Sequence, residues 1–589
     1  MITLQNFICP EQEICTEHAL YYHTKGAVGF SESTQEFTLS PGATLGFNSY
    51  FNLFNLSKWN AACGLENLWL EVTGAGQVEM RIVHALPERS WEILFCDIVT
   101  LEPGAAHAID ISHFARHSAN GLIYVEFKAL SHGATICNAR FATDTTIATL
   151  PTLTVSITTF KREEEVRQTV ARLESFLKDF EFAKQIHVQV VDNGNSANVP
   201  ASDAVTPMVN HNYGGAGGFA RGLLEAQDAG STHCLFMDDD ASFHMENIAR
   251  TYVFLALAKS PKAAVAGAMI NNTHKWAMWE NGAYFEGSCH PLFCGQDLRD
   301  PVEVFEMEFK SARTNRPTLY GGWWFFAFAI DQVKHHPFPF FVRGDDISFS
   351  LMNDFQITTL NGVVSFQDDF TEKESAQTLY LDLRNHLIHH LVSDKLKRGA
   401  LGTARIAIRF IMRSMLRFHY ESARAQLLAW NDVMQGPEFF DKNIDMAERR
   451  GTIKKMMITE VWQDAGPNKV TDQRRVSNRS PRRLKRLGIY TLNGHLVPFS
   501  GALWDKLTLS IGNRGLVPSA FGASRITYLN TAGDKSYTVA QSKAKFFVIC
   551  WQMTKMLVRF VREFDDLKAT YRAGYDKQTT REYWQKKLE

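Results

Sequence analysis

The sequence predicts a multidomain α/β chain with an N-terminal β-sandwich, a central Rossmann-like mixed α/β domain and a C-terminal, mainly helical domain. Three observations carry this expectation. Residues 1–150 hold short alternating runs punctuated by Gly, Pro, Asn and Ser, residues 151–395 alternate strand and helix patterns, and helical periodicity dominates residues 396–589. A chain of 589 residues is also longer than one hydrophobic core sustains, so several domains are expected.

The first region is read from FTLSPGATLGFNSYFNLF, LWLEVTG, QVEMRIVHAL, WEILFCDIVTLEPG and GLIYVEFKAL. β-branched and aromatic residues between turn formers at such spacing mark an antiparallel sandwich or jelly-roll-like domain. At Leu153 the texture changes. LTVSITTF reads as a strand, EEEVRQTVARLESFLKDF as an amphipathic helix, IHVQVVDNG as a strand, FARGLLEAQDAG as a helix and THCLFMDDD as a strand. This alternation predicts a parallel, doubly wound sheet, which binds ligands at the carboxyl ends of its strands. WWFFAFAI adds a buried strand, and LYLDLRNHLIHHLVSDKL is helical. Beyond residue 396, Arg405, Arg409, Arg413 and Arg417 recur every four residues among Ile, Phe, Met and Leu, forming one stripe on a helix. A second basic cluster, RRVSNRSPRRLKRLG at 474–488, is placed on a loop. Both features suit a solvated surface, or peripheral contact of this basic C-terminal region with an anionic membrane face.

Composition excludes some classes. With a net charge of −1 and 21% charged residues, no global field favours nucleic acid. The N-terminus MITLQNFICPEQE has no basic segment followed by an apolar one, and no run approaches about 18 apolar residues. A cytoplasmic protein is expected, and contact with the inner face of the membrane would be peripheral. The nine cysteines are an odd number without paired metal-site spacing, so they are expected reduced and mostly packed.

The chemistry begins at Asp238, Asp239 and Asp240, which an apolar run delivers to a strand's carboxyl end. Three adjacent carboxylates repel one another, and a divalent cation removes that cost. On extended backbone Asp238 and Asp240 share a face and Asp239 does not, and carboxylate oxygens suit Mn²⁺ or Mg²⁺. Upstream, Gly214, Gly215, Gly217 and Gly218 open a helix and can bring backbone N–H groups to a nucleotide, or serve tight packing. The loop lacks a Gly-Lys-Ser/Thr ending and the dinucleotide spacing. Phe160, Arg162 and Asp192 lie at the ends of the first two strands, where a base and ribose would sit.

Taken in order, TTFKR, VDNG, NYGGAGGFARG, MDDD, YGGWWFFAF and RGDDISFSL resemble the motif series of galactofuranosyltransferases, inverting GT-A glycosyltransferases of family two. The resemblance is sharp over residues 151–390 and weaker outside them. It implies a GT-A central domain and transfer of galactofuranose from UDP-galactofuranose to a lipid-linked or oligosaccharide galactan acceptor. By motif, Phe160, Arg162, Asp192, Asn212, Gly214, Gly215 and Asp239 would bind the donor, and Asp238 and Asp240 the metal. Asp346 would be the general base with Asp345 beside it. Trp323, Trp324 and Glu280 would face the acceptor.

One departure stands out. Where the family places a Trp-His pair whose histidine completes the metal site, this chain has Phe366 and Gln367. Gln367 or Asp368 would then serve, or the two acids and the diphosphate alone. His386, His389 and His390 downstream read as packing or surface histidines. Two further readings stay open: an inverting enzyme of the same fold using another nucleotide sugar, and a non-catalytic carbohydrate-binding subunit of a polysaccharide assembly complex. The sandwich and helical domains also offer surfaces for self-association into a homo-oligomer.

Overall fold

The computed structural model describes residues 1–112, 120–130, 132–239, 242–368, 374–465 and 488–589. In the N-terminal region ten strands pair antiparallel into one sheet around the 17-residue strand Trp69–Ala85. Its first half pairs with Ala106–Asp110 and Ala134–Thr143, its second with Glu92–Leu101 and Leu122–Ala129. The handover falls at two glycines. A Cβ on Gly74 would lie 2.1 Å from the Thr135 carbonyl oxygen, and Gly76 has φ +99°, a conformation costly for any residue with a side chain. Leu39 and Val72 from one half and Val78 and Phe127 from the other share one buried cluster, so the halves enclose a common core as a sandwich does.

That cluster continues into the central sheet through Val155, Ile157, Val188 and Leu235. A buried ion pair joins the two regions as well. Lys58 Nζ lies 2.7 Å from Glu308 Oε2, which also accepts from Asn55 Nδ2 at 2.8 Å.

The central sheet has seven strands, β1 (Leu153–Thr159), β2 (Ile186–Asp192), β3 (Val205–Val209), β4 (His233–Asp238), β5 (Ala263–Ala266), β6 (Phe326–Ala329) and β7 (Gln356–Thr358). Their order is β3-β2-β1-β4-β6-β5-β7, parallel except for β6. β1 and β4 are buried on both faces, as covered parallel strands are, with the small hydroxyl residues Thr154, Ser156 and Thr158 on one face of β1. The helix Gly214–Asp228 packs so closely on β1 that a Cβ on Gly218 would meet Thr158 Cγ2 at 2.2 Å, and one on Gly222 would meet Ser156 Oγ at 1.8 Å.

The helices Ala376–Val392, Ala400–Leu416, Tyr420–Val433 and the 36-residue Lys543–Gln578 build a second core around Tyr380, Leu387, Trp430 and Phe560. The region expected to be mainly helical also contains a four-stranded sheet of Gln463–Asp464, Asp505–Ser510, Ala523–Leu529 and Lys535–Ala540. In ASRITYL and KSYTVA buried and exposed positions alternate, a strand period that the surrounding helical pattern concealed. The last helix, Arg581–Leu588, returns to the central domain. Trp584 Nε1 donates to the Pro337 carbonyl at 2.7 Å, and its ring packs with Ala220 and Leu224 of the glycine-led helix.

The arginine stripe falls on Ala400–Leu416 and its C-cap, with Arg405, Arg409 and Arg413 exposed and only the last member turned inward. Arg417 is buried and ion-paired with Glu374 at 3.2 Å, while Arg409 and Arg413 donate to the Gly287 and Gly515 carbonyls. The basic cluster at 474–488 lies outside the described residues except for Gly488. Cys9, Cys15, Cys63, Cys96, Cys137, Cys234, Cys289 and Cys550 are free thiols, of which only Cys15, Cys63 and Cys234 are buried, fewer than expected. Among the described residues, no helix is long and apolar enough to cross a membrane.

Candidate active site

At the carboxyl end of β4 a cavity of about 510 Å³ opens. Asp238, Gly215, Glu280, Trp323, Trp324, Asp345 and Asp346, chosen from the sequence for different roles, all line it. Phe160, Arg162, Asp192 and Asn212 are outside its lining, at the neighbouring strand ends.

Asp345 and Asp346 open the helix Asp345–Met352, and the loop before them is strained. Phe341 and Arg343 take φ +76° and +72°, left-handed values that cost a non-glycine residue about 1–2 kcal/mol. Several bonds hold the loop in place. Ala216 N–H donates to the Phe341 carbonyl at 3.1 Å. Asn385 Nδ2 donates to Val342 O at 3.1 Å, and Arg384 to the Phe340 carbonyl.

Burial raises both aspartates above the usual carboxylate range. The charge of Asp346 raises Asp345 further, whereas the N–H of Ile347, 2.8 Å from Asp346 Oδ1, and the Arg343 guanidinium hold Asp346 down. Asp346 is therefore the first of the pair to ionise. Glu280 is pushed up to about 8 by burial and by the charge of Asp346, so it carries a proton at neutral pH. One cavity thus holds a carboxylate and a carboxylic acid side by side.

The two tryptophans are anchored by packing. The Trp323 ring meets Phe219, Phe236 and Phe349 edge-on, at centroid distances of 4.9, 5.1 and 5.7 Å, and Trp324 Nε1 donates to the Gly267 carbonyl at 2.9 Å. A Cβ on Gly322 would lie 2.2 Å from the Trp324 ring and one on Gly321 2.0 Å from the Phe326 ring, which explains the glycines of YGGWW. Both rings are mainly core, each with an edge on the cavity.

On the expected donor side, Asp192 accepts from the N–H groups of Gly194, Ser196 and Ala197 at 2.7–2.8 Å. It shapes the loop after β2. Asn212 Oδ1 accepts from Gly214 N–H at 3.1 Å. Gly214 has φ +70°, and a Cβ there would lie 2.1 Å from the Phe341 carbonyl oxygen; at Gly215 a Cβ would lie 3.2 Å from Asp345 Oδ2. The four glycines therefore divide their work: Gly214 and Gly215 meet the aspartate loop, Gly217 accommodates Tyr213, and Gly218 seats the helix on β1. Phe160 is 42% exposed, and Arg162 Nη1 lies 3.9 Å from the buried Asp239.

For a metal ion, Asp238 at the strand end is an oxygen donor on the cavity. Asp240 lies outside the described residues. Gln367 ends the strand Val364–Gln367, whose Phe366 exchanges backbone bonds with Ser242, just past the acid triplet. Gln367 is buried and its Nε2 has no partner. Rotation of the amide by half a turn would offer an oxygen in that place, a donor type that suits a hard cation, although Gln367 does not line the cavity. Asp368 accepts from Asn272 Nδ2 at 3.3 Å. Among the described residues, no three His, Cys, Asp or Glu side chains converge on a metal position. His386, His389 and His390 are buried around Phe285, and only His386 reaches the cavity.

The structure adds Trp279, Tyr320, Arg343 and Asp382 to the cavity wall, and Asn193, whose Nδ2 donates to the Gly214 carbonyl at 3.0 Å. Asp382 and His386 sit four apart in LYLDLRNHLIHHL, a helical spacing that places both on one face. Trp279 adjoins Glu280 in MWENGAYF. Arg343 opens RGDDISFSL, with Gly344 between it and the aspartate pair.

Fold and cavity define the class: a doubly wound α/β domain with a carboxylate-walled cleft at the carboxyl ends of its strands, the position where such sheets bind ligands. Within it, the chain is a distant relative of galactofuranosyltransferases. It is 23% identical over 421 residues to galactofuranosyltransferase GlfT2 of Mycobacterium tuberculosis, covering 67% of this chain and 65% of that protein. With GlfT2 of Mycolicibacterium smegmatis it is 22% identical over 429 residues, with 68% and 65% covered. The chain thus spans just under two thirds of the length of these relatives. No family model matches it. The crystal structure of mannosyl-3-phosphoglycerate synthase from Rubrobacter xylanophilus superposes with a TM-score of 0.28 at 11% identity, covering 41% of this chain and 74% of that one.

Proposed function

We propose that the chain is an inverting glycosyltransferase that moves galactofuranose from UDP-galactofuranose to a galactan acceptor. The observation that carries this reading is the convergence of Asp238, Gly215, Glu280, Trp323 and the Asp345–Asp346 pair on one cavity. The acceptor hydroxyl oxygen attacks the anomeric carbon as the bond from that carbon to the phosphate oxygen breaks, and the electron pair leaves with UDP. Asp346, the more acidic of the pair, takes the hydroxyl proton. Protonated Glu280 donates to an acceptor hydroxyl, and the edges of Trp279 and Trp323 limit its orientations. Asp238 with Asp240, and Gln367 through its amide oxygen, would hold Mn²⁺ or Mg²⁺, whose charge offsets that developing on the leaving diphosphate.

The test is Asp346→Asn, assayed with UDP-galactofuranose and an oligosaccharide galactan. Transfer should fall by about 10²–10⁴-fold, the usual contribution of a general base, while UDP still binds. Transfer at the normal rate would remove Asp346 from its role. UDP release that is faster with UDP-galactopyranose would overturn the donor assignment.

We further propose peripheral membrane contact through the long C-terminal helix. Phe547, Val548, Trp551 and Val558 are each more than half exposed, and Lys555, with its ammonium 5.1 Å from the Trp551 ring, lies among them. Apolar side chains rimmed by cations suit an anionic bilayer surface. Co-sedimentation with phosphatidylglycerol vesicles should be lost in Phe547→Ser/Trp551→Ser; retention by that double variant would refute the assignment.

A further inference from the structure

The helices Tyr420–Val433 and Lys543–Gln578 are pinned together where the rings of Trp430 and Phe560 meet edge-on at 5.6 Å. Beside this contact they leave a groove of about 430 Å³. Arg424, Leu427, Leu428 and Asn431 face it from the shorter helix, and Gln552, Lys555, Met556 and Arg559 from the longer one. Each set follows the spacing i, i+3, i+4, i+7, so each forms one continuous strip of its helix. Met456, at the end of the helix Ala447–Met456, completes the lining.

The groove is amphiphilic. Buried Leu427 and half-buried Leu428, Met456 and Met556 give it an apolar floor, while Arg424, Lys555 and Arg559 are exposed. Among the described residues no carboxylate lines it. Glu563, outside the groove, lies 3.1 Å from Arg559 but is shared with Arg562 at the same distance, and Lys454 and Lys455 add two more cations in the last turn of Ala447–Met456. Positive charge is therefore in surplus. A free phosphate ion would answer it and leave the floor in water, a neutral apolar chain would leave the cations unanswered, and a zwitterionic headgroup would bring a cation of its own. What fits is an anionic headgroup joined to an apolar chain.

The position of the groove says where such a molecule comes from. Lys555 belongs to two surfaces, since its ammonium also lies 5.1 Å from the ring of Trp551, within the exposed face of Phe547, Val548, Trp551 and Val558. Successive helix positions turn by about 100°, which sets the strip of Gln552, Lys555 and Arg559 directly beside that face. We propose that the groove holds one anionic phospholipid of the bilayer, its phosphate among Arg424, Lys555 and Arg559 and an acyl chain along Leu428 and Met556. The inference rests on the membrane-contact reading above and deepens it: Phe547 and Trp551 supply general adhesion, and the groove selects a class of lipid.

The experiment is a calorimetric titration of the full chain with dioctanoyl phosphatidylglycerol kept monomeric, for the wild type, Arg424→Glu, the groove-filling Leu428→Trp and Phe547→Ser/Trp551→Ser, each checked for folding by circular dichroism. The wild type should bind, and should bind dioctanoyl phosphatidylcholine more weakly. Arg424→Glu changes two units of charge, each worth about fivefold beside an anionic lipid, and should weaken binding about 25-fold. Leu428→Trp should abolish it, and Phe547→Ser/Trp551→Ser should retain it. Undiminished binding by Arg424→Glu or by folded Leu428→Trp, equal binding of phosphatidylcholine, or equal binding of the chain-free headgroup glycerophosphoglycerol would overturn the site. Tighter binding of farnesyl phosphate would overturn the bilayer phospholipid as its occupant. The two membrane assignments fail separately: a wild type that sediments with vesicles but does not bind monomeric lipid refutes the groove alone, and one that binds monomeric lipid but does not sediment refutes the adhesive face alone.

Discussion

Replacing Glu280 by glutamine tests the electrostatics of the cavity without reference to any substrate. Burial and the neighbouring charge of Asp346 lift the Glu280 carboxyl from 4.5 to about 8, a difference of about 3.5 units. At about 1.4 kcal/mol per unit this is about 5 kcal/mol of differential stability between its protonated and ionised forms. The sign follows from proton binding. Between pH 4.5 and 8 the folded state keeps a proton that the unfolded chain has released, so stability falls as pH rises, and above about 8 the full penalty stands. Glutamine resembles the protonated acid and has nothing to lose. In urea unfolding between pH 5 and 9, E280Q should match the wild type near pH 5 and exceed it by a margin that grows by about 1.4 kcal/mol per unit up to pH 8. Parallel stability curves for the two proteins across this range would show that Glu280 is ionised in the folded state and would refute the reasoning.

Three other perturbations probe separate links. Gly214→Ala forces a side chain onto φ +70° and within 2.1 Å of the Phe341 carbonyl; it should cost at least about 1–2 kcal/mol and lower transfer further by moving the Asp345–Asp346 loop, so an unchanged melting temperature would contradict the contact. Lys58→Met leaves Glu308 charged and unpaired in the interior, at about 3–5 kcal/mol. Adding Glu308→Leu should recover most of that loss in thermal unfolding, and no recovery would count against the pair. Asp238→Asn should weaken UDP binding in Mn²⁺ and match the wild type in EDTA, while wild-type binding indifferent to EDTA would remove the metal from the proposal.

Much of the site could be read from the chain because strands impose direction. An apolar run that ends in MDDD places acids at a sheet's carboxyl edge, and Asp238 lines the cavity there. What the sequence hid depends on distant contacts. Asp192 looks like a ligand residue at a strand end, yet three backbone N–H groups of the following loop occupy its carboxylate. The arginine stripe has the period of an exposed helix face, and Arg405, Arg409 and Arg413 are exposed, but its last member, Arg417, is buried against Glu374. Arg343 opens RGDDISFSL, but only the aspartates of that motif suggest chemistry; its importance comes from the left-handed turn that sets it beside the aspartate pair and Asp382.

The glycine loop and the aspartate loop behave as one mechanical unit. Ala216 N–H binds the Phe341 carbonyl, Gly214 has room for that carbonyl only because it lacks a Cβ, and Gly215 approaches Asp345 in the same way. The left-handed turns at Phe341 and Arg343 are held open by these bonds on one side and by Arg384 and Asn385 on the other. The glycine-led helix is in turn pinned from behind by Trp584 and by Arg581, whose Nη1 lies 3.1 Å from Gln227 Oε1. Strained backbone persists only where its surroundings over-determine it, so the C-terminal helices are part of what sets the distance between the two loops. Loosening Arg581–Leu588, more than 230 residues from Asp346 in sequence, should therefore reduce transfer before it unfolds the chain: Trp584→Ala should lower kcat at temperatures where circular dichroism is unchanged, and activity that falls only along the melting curve would show that the helix supplies stability alone.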